Sequence, residues 1–284
     1  MSRATAPGSS GNLGPGFDTL ALALELRCRV DAMRTDVWKI RQVGAHRPEH
    51  GDAVLAAARL AVGDRSPLVL TVQNEIPIGR GLGSSAAVAA AGAAAAWRAV
   101  GHTPLPSEVF GVATEIDGHP DNAAASVYGG LVSVTTEGTV LRLALHESIE
   151  LVIGVPRETL STREARKALP DSIDRNLGVR SLQRIVALVE GLRTGDAEAL
   201  SAAAGDEFHE SPRARLNPRA KRLIDAARRA GALHACWSGA GPSVLALTAA
   251  DRRTAVVDAM RAELGNDGVV LTPEVAVDGV KGTG

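Results

Sequence analysis

Apolar positions along this chain alternate between short runs and longer stretches at helical spacing. Runs at 37–43, 68–72, 151–155, 232–237 and 243–247, bounded by Gly, Pro or polar residues, predict strands. A strand also opens the chain, a Gly/Ser/Asn/Pro loop follows over 8–16, and 17–26 is a further apolar segment. Residues 131–135 and 140–145 read as a strand pair, and 269–271 as a last strand. Stretches 52–62, 84–100, 107–116, 161–169, 177–192, 197–208, 218–230 and 252–264 predict helices. Ser107 is the expected N-cap of the third, Pro170 stops the fourth, and Gly231 ends the seventh. The stretch 84–100 is alanine-rich on every side, which predicts close packing on all faces. The polar residues 117–122 predict a turn. From residue 151 onward the order strand, helices, strand, loop, strand, helix, strand predicts a ferredoxin-like layer. The fold class is therefore α+β, with domains expected at 1–150 and 151–284.

Composition narrows the class of protein. With 284 residues, 45% of them hydrophobic and 22% charged, the chain is globular. A net charge of −1 offers no electrostatic basis for binding nucleic acid or an anionic membrane. Aromatic residues are 2% of the chain, so the core must be built from Ala, Val and Leu. Cys28 and Cys236 are too few and too distant for a disulfide framework or a metal cluster, and are expected as buried thiols. Without an apolar N-terminal segment or a bilayer-spanning run, a soluble cytoplasmic protein is expected.

The chemistry concentrates in polar loops. Pro77-Ile78-Gly79-Arg80-Gly81-Leu82-Gly83-Ser84-Ser85-Ala86-Ala87 lies between a strand and the alanine-rich helix. Backbone N–H groups from Gly81 to Ala86, at the positive end of that helix, suit the phosphates of a nucleotide. The loop has no Walker Lys-Ser/Thr pair and no GxGxxG spacing. Ser84 or Ser85 can offer a hydroxyl to Mg²⁺, and Arg80 either reaches a phosphate or is solvated. In the first loop, Asn12 and Asp18 flank glycines and suit a substrate ammonium or hydroxyl. In 117–122, Asp117 or nearby Glu115 can hold Mg²⁺, and Asn122 can position a hydroxyl. Asp121 is available as a base, although Asp-Asn is also ordinary turn chemistry. Thr162 and Arg166 share a helix face, and Arg213 and Arg215 suit a carboxylate unless they form a solvated basic face.

Taken together, the loops resemble the GHMP small-molecule kinases. Ser9-Ser10-Gly11-Asn12-Leu13-Gly14-Pro15-Gly16-Phe17-Asp18 is similar to that family's first motif and the loop from Pro77 to Ala87 to its second. Ser238-Gly239-Ala240-Gly241-Pro242-Ser243 is similar to its third, which closes the active site. Gly118-His119-Pro120-Asp121-Asn122-Ala123-Ala124 with Gly129-Gly130, and Ser161-Thr162-Arg163-Glu164-Ala165-Arg166, resemble the branch that phosphorylates homoserine. The resemblance implies a GHMP kinase fold: an N-terminal domain like domain 2 of ribosomal protein S5 and a C-terminal ferredoxin-like domain. It implies ATP and Mg²⁺ as cofactors, L-homoserine as phosphoryl acceptor in threonine biosynthesis, and a homodimer. Asn12, Asp18 and Asn122 would meet the amino and hydroxyl end of the acceptor, with His119 and Gly239 beside it. Arg166 and Arg213 would hold its carboxylate, with Thr162 near the reacting hydroxyl. Asn122, Thr162 and Arg166 are the expected catalytic residues; Ser84 or Ser85, with Asp117 or Glu115, would serve the metal. The chain differs from the family pattern in Gly11, where alanine is usual, and in His209-Glu210-Ser211-Pro212-Arg213 and Trp237. A kinase of a different small amino alcohol, and a non-catalytic binding protein of this fold, remain the alternatives.

Overall fold

The computed structural model describes residues 1–43 and 51–283. The first sheet contains β1 (Ser2–Gly11), β2 (Leu20–Arg34), β3 (Lys39–Val43), β4 (Leu68–Asn74), β5 (Leu131–Val134) and β6 (Val140–Leu143). β1, β2, β4 and β3 lie side by side; β5 pairs with the first residues of β2, and β6 pairs with β5. Helices α1 (Gly51–Val62), α2 (Ser84–Ala99), α3 (Pro106–Asp117) and α4 (Pro120–Tyr128) belong to this half. α2 is buried along nearly its whole length, between α1 and α3 and against β1 and β2. Alanine on every face makes that possible, because a small side chain lets sheet and neighbouring helices approach from all sides.

The second half carries β7 (Glu150–Pro156), α5 (Thr162–Lys167), α6 (Arg175–Thr194), α7 (Ala197–Ala202), α8 (Glu210–Arg213) and α9 (Pro218–Arg229). β8 (His234–Trp237), β9 (Val244–Thr248), α10 (Arg253–Leu264) and β10 (Gly268–Leu271) follow. Its antiparallel sheet runs β10-β7-β9-β8, the order of a ferredoxin-like layer. Ala220, Leu223 and Ala227 of α9 and Val256, Met260 and Leu264 of α10 cover one face of that sheet. The last strand, β11 (Lys281–Thr283), returns to the first sheet and pairs with β1, Arg3 opposite Thr283. The largest core runs through both halves, from Ala87–Ala96 to Ile153 and Leu188. This shared packing fixes the cleft between the two halves.

The structure corrects several expected boundaries. β1 continues through the first glycines to Gly11, so the loop is shorter than 8–16. α3 starts at Pro106 rather than Ser107; Leu105 is the N-cap, and its N–H donates to Glu108 Oε2 at 2.6 Å. The expected turn over 117–122 is mostly helix, since α4 starts at Pro120. α7 ends at Ala202 instead of running to Phe208, because Asp206 turns inward to accept hydrogen bonds from the start of α8. Cys28 and Cys236 are free and buried, as expected. No helix among the described residues is long and apolar enough to cross a membrane.

Candidate active site

The three glycine-bearing loops meet at one place and bond to one another through their backbones. The Ser9 N–H donates to Leu82 O at 3.0 Å, and the Gly239 N–H to Gly11 O at 3.0 Å. Ser238 Oγ donates to Gly81 O at 2.7 Å. Asn12 braces the first loop against the third: its Nδ2 donates to Gly239 O at 2.9 Å and its Oδ1 accepts from the Asp18 N–H at 3.1 Å. The loops wall an open cleft.

α2 opens at the cleft. Its N-cap is Gly83, in the left-handed region at φ 65°, and contributes no side-chain cap. A Cβ there would stand 2.0 Å from Ser9 Oγ, so only glycine lets the first two loops touch. The first N–H groups of a helix have no carbonyl within it, and they carry its positive end. Gly79, Gly81, Leu82, Gly83, Ser84 and Ser85 line the cleft together with Pro77. Those uncapped N–H groups fit a phosphate chain.

Carboxylates and cations face each other across the remaining walls. Asp18, Asp117, His119, Asp121, Asn122, Thr162, Arg166, Arg213 and Gly239 all line the cleft. Arg166 donates to Asp18 Oδ1 at 2.6 Å and to His119 Nε2 at 2.7 Å. A guanidinium can only donate, so this His119 ring is neutral, with its Nδ1 proton on Asp117 O at 2.9 Å. The Asp117 side chain still draws the imidazole upward from its usual pKa, against the effect of burial. Asp121 is 2% exposed. Burial pushes its carboxyl up to about 6. Asn122 Oδ1 accepts from Ser9 Oγ at 2.9 Å, and its Nδ2 stands 3.4 Å from Asp121 Oδ1. Arg213 is buried, and desolvation, then the Arg166 charge, lower it to about 10, so it stays a cation. Phe17, absent from the expected set, also lines the cleft, and both guanidinium carbons lie 5.5 Å from its ring centroid.

Four expected residues are placed elsewhere. Arg80 is committed to backbone carbonyls. Its guanidinium donates to the carbonyls of Pro156, Ile78 and Arg157 at 2.9, 2.7 and 2.6 Å, and so ties the loop to the end of β7. Glu115 is exposed on α3, outside the cleft, because α3 turns it away and brings Asp117 inward. Ala87 is buried, and its N–H is committed to Gly83 O at 3.0 Å; Ala86 is buried beside it. Asp117, Ser84 and Ser85 line the cleft and offer hard oxygen donors. One carboxylate with hydroxyls fits a Mg²⁺ ion held mainly by phosphate oxygens and water.

Behind Arg213, Glu210 accepts the Trp237 N–H through Oε1 at 2.6 Å. Burial raises its carboxyl to about 8. Below the unfolded value of about 4.5, folded and unfolded chains are both protonated. Between that value and about 8 only the unfolded chain ionises, so stability falls by about 1.4 kcal/mol per pH unit. Glu210→Gln keeps the acceptor oxygen and cannot ionise. Its advantage in urea midpoint over the parent is expected to be small at pH 5 and large at pH 8. A gap that stays constant with pH would show that Glu210 is ionised in the fold.

The family comparisons agree with this geometry. Residues 51–130 match the GHMP kinases N terminal domain and residues 188–266 the GHMP kinases C terminal domain. A homoserine kinase of Moorella thermoacetica is 36% identical over 94% of this chain and 93% of its own. One of Thermus thermophilus is 35% identical over 95% of both chains. The crystal structure of a homoserine kinase from Cytophaga hutchinsonii superposes with a TM-score of 0.85 at 26% identity, over 99% of this chain and 97% of that one. A mevalonate kinase of L. major shares the fold at a TM-score of 0.74 and 17% identity, over 96% of this chain and 95% of that one. Fold and cleft are thus those of an ATP-using kinase of the GHMP type. The chain belongs to the GHMP kinase family and, within it, to the homoserine kinases.

Proposed function

We propose that the chain transfers the γ-phosphoryl group of ATP to the side-chain hydroxyl of L-homoserine, giving O-phospho-L-homoserine and ADP for threonine biosynthesis. The observation that carries this is what one cleft brings together: the guanidiniums of Arg166 and Arg213 over Phe17, the carboxylates of Asp18 (ion-paired with Arg166) and Asp121, and the N-terminus of α2. A zwitterionic amino acid with a hydroxyl at the end of its side chain satisfies all three.

In this arrangement the N–H groups opening α2 hold the phosphates of ATP. Arg213 and Arg166 grip the acceptor carboxylate, and Asp18 takes its ammonium. Asn122 aligns the hydroxyl, and Thr162 lies beside it on α5. Asn122 is an amide and takes no proton. The work is therefore positioning and charge neutralisation, which a loose phosphoryl-transfer transition state permits. Asp117 and Ser84 or Ser85 would hold Mg²⁺, which neutralises charge on the transferring phosphate.

A coupled ADP-release assay with Mg-ATP and L-homoserine, L-threonine, L-serine, mevalonate or shikimate tests this. Turnover is expected to be highest on L-homoserine. Faster turnover on another alcohol would move the substrate. Absence of turnover on all five with ATP still bound would favour a binding protein.

A further inference from the structure

We propose that His209 is the positioning residue for Arg213: its Nδ1 accepts a hydrogen bond that aims the guanidinium at the carboxylate of the acceptor. The proposal rests on the reading of Arg213 as a carboxylate ligand. Arg213 is 1% exposed and yet lines the cleft. Its Nε donates to Ala165 O at 3.1 Å and its Nη1 contacts His209 Nδ1 at 3.0 Å. Nη2 is left without a protein partner among the described residues.

Since a guanidinium offers no acceptor, His209 Nδ1 must supply the lone pair. The ring proton is then on Nε2, which donates to Gly14 O at 2.8 Å. Two further contacts lock the ring. It stacks on Phe17 with centroids 5.1 Å apart and planes 28° from parallel. Asp206 Oδ2 accepts the backbone N–H groups of His209 at 2.6 Å and Glu210 at 3.0 Å, which fixes the start of α8. Arg213 and Arg166 repel each other across the same phenyl ring. A buried guanidinium with a like charge nearby keeps its aim only while such an acceptor holds it.

The two nitrogens can be replaced separately. His209→Asn puts an amide oxygen near the place of Nδ1. His209→Gln puts its amide near Nε2 and leaves Arg213 without the acceptor. The acceptors are L-homoserine and 3-aminopropan-1-ol, which lacks the carboxylate. The Gln variant is expected to raise KM for L-homoserine about 10-fold or more. Neither KM for ATP nor kcat/KM for 3-aminopropan-1-ol should move. The Asn variant is expected to restore KM to within about 3-fold of the parent. A loss in Asn equal to that in Gln, or a Gln penalty equal on both acceptors, would reduce His209 to structural support. If Gln does not fold, Asn still decides, because a large rise in its KM overturns the proposal. If the parent itself shows no preference for L-homoserine over 3-aminopropan-1-ol, the carboxylate reading fails first and the proposal with it.

Discussion

Asn122→Leu is expected to lower kcat on L-homoserine about 100-fold while ATP binding is retained. Leucine has the same branched skeleton of heavy atoms as asparagine, so the outline of the cleft wall is kept. What is lost is an amide in the first turn of α4, held by Ser9 Oγ at 2.9 Å and aimed into the cleft. In a reaction whose catalysis is positioning, a misplaced hydroxyl reduces kcat rather than ATP affinity. The substitution also strands the Ser9 hydroxyl, which is fully buried, at about 1–3 kcal/mol of stability. Adding Ser9→Ala removes the stranded group. The double variant should therefore regain thermal stability and keep the low kcat. Calorimetric ATP titration and steady-state kinetics on both variants check this. ATP affinity falling in parallel with kcat would remove Asn122 from the acceptor side of the cleft.

Much of this fold is legible in the chain. The apolar runs at 68–72, 151–155 and 243–247 coincide with β4, β7 and β9, each buried along most of its length. Their neighbours do not alter what a short apolar run does. Residues 117–122 mislead because Asp, Gly, Pro and Asn serve turns and helix starts equally. Pro120 at the first position of α4 loses no hydrogen bond there and begins a helix instead. β11 carries no apolar pattern in Lys281-Gly282-Thr283; it exists because the edge of β1 offers it backbone partners.

The site divides in the same way. Glycines and serines identify the loops, because a tight turn or an exposed helix end leaves few other choices. Long side chains with distant partners stay hidden. Arg80 finds two of its acceptors at Pro156 and Arg157. His209 meets Gly14 and Phe17 from the other half of the chain. Phe17 looks like one more core aromatic until two guanidinium groups are found over it. The spacing Phe17-Asp18 next to a glycine loop, together with arginines on two separate helices, is the only hint the chain contains.

Gly81→Ala should give the largest loss of nucleotide affinity of any single methyl added to this protein. Gly81 has φ 71°, and a Cβ there would stand 2.1 Å from Ser238 O and 2.8 Å from Gly241 N. Both obstacles are backbone atoms, so no rotamer change relieves the contact. The second or third loop must retreat, breaking the bond from Ser238 Oγ to Gly81 O. The N–H of Ser9 to Leu82 O, one residue further on, is strained with it. Left-handed geometry alone costs a side chain roughly 1–2 kcal/mol. Gly63 separates the two effects: its φ is 76° and nothing lies within 4 Å of an added Cβ. Gly63→Ala should therefore lose a similar small amount of stability and keep parent kinetics. Gly81→Ala should raise KM for ATP about 100-fold through displaced phosphate-binding N–H groups. Equal kinetics for the two variants would mean that the loops can separate without harm, and that the closeness of the three loops is not what binds the nucleotide.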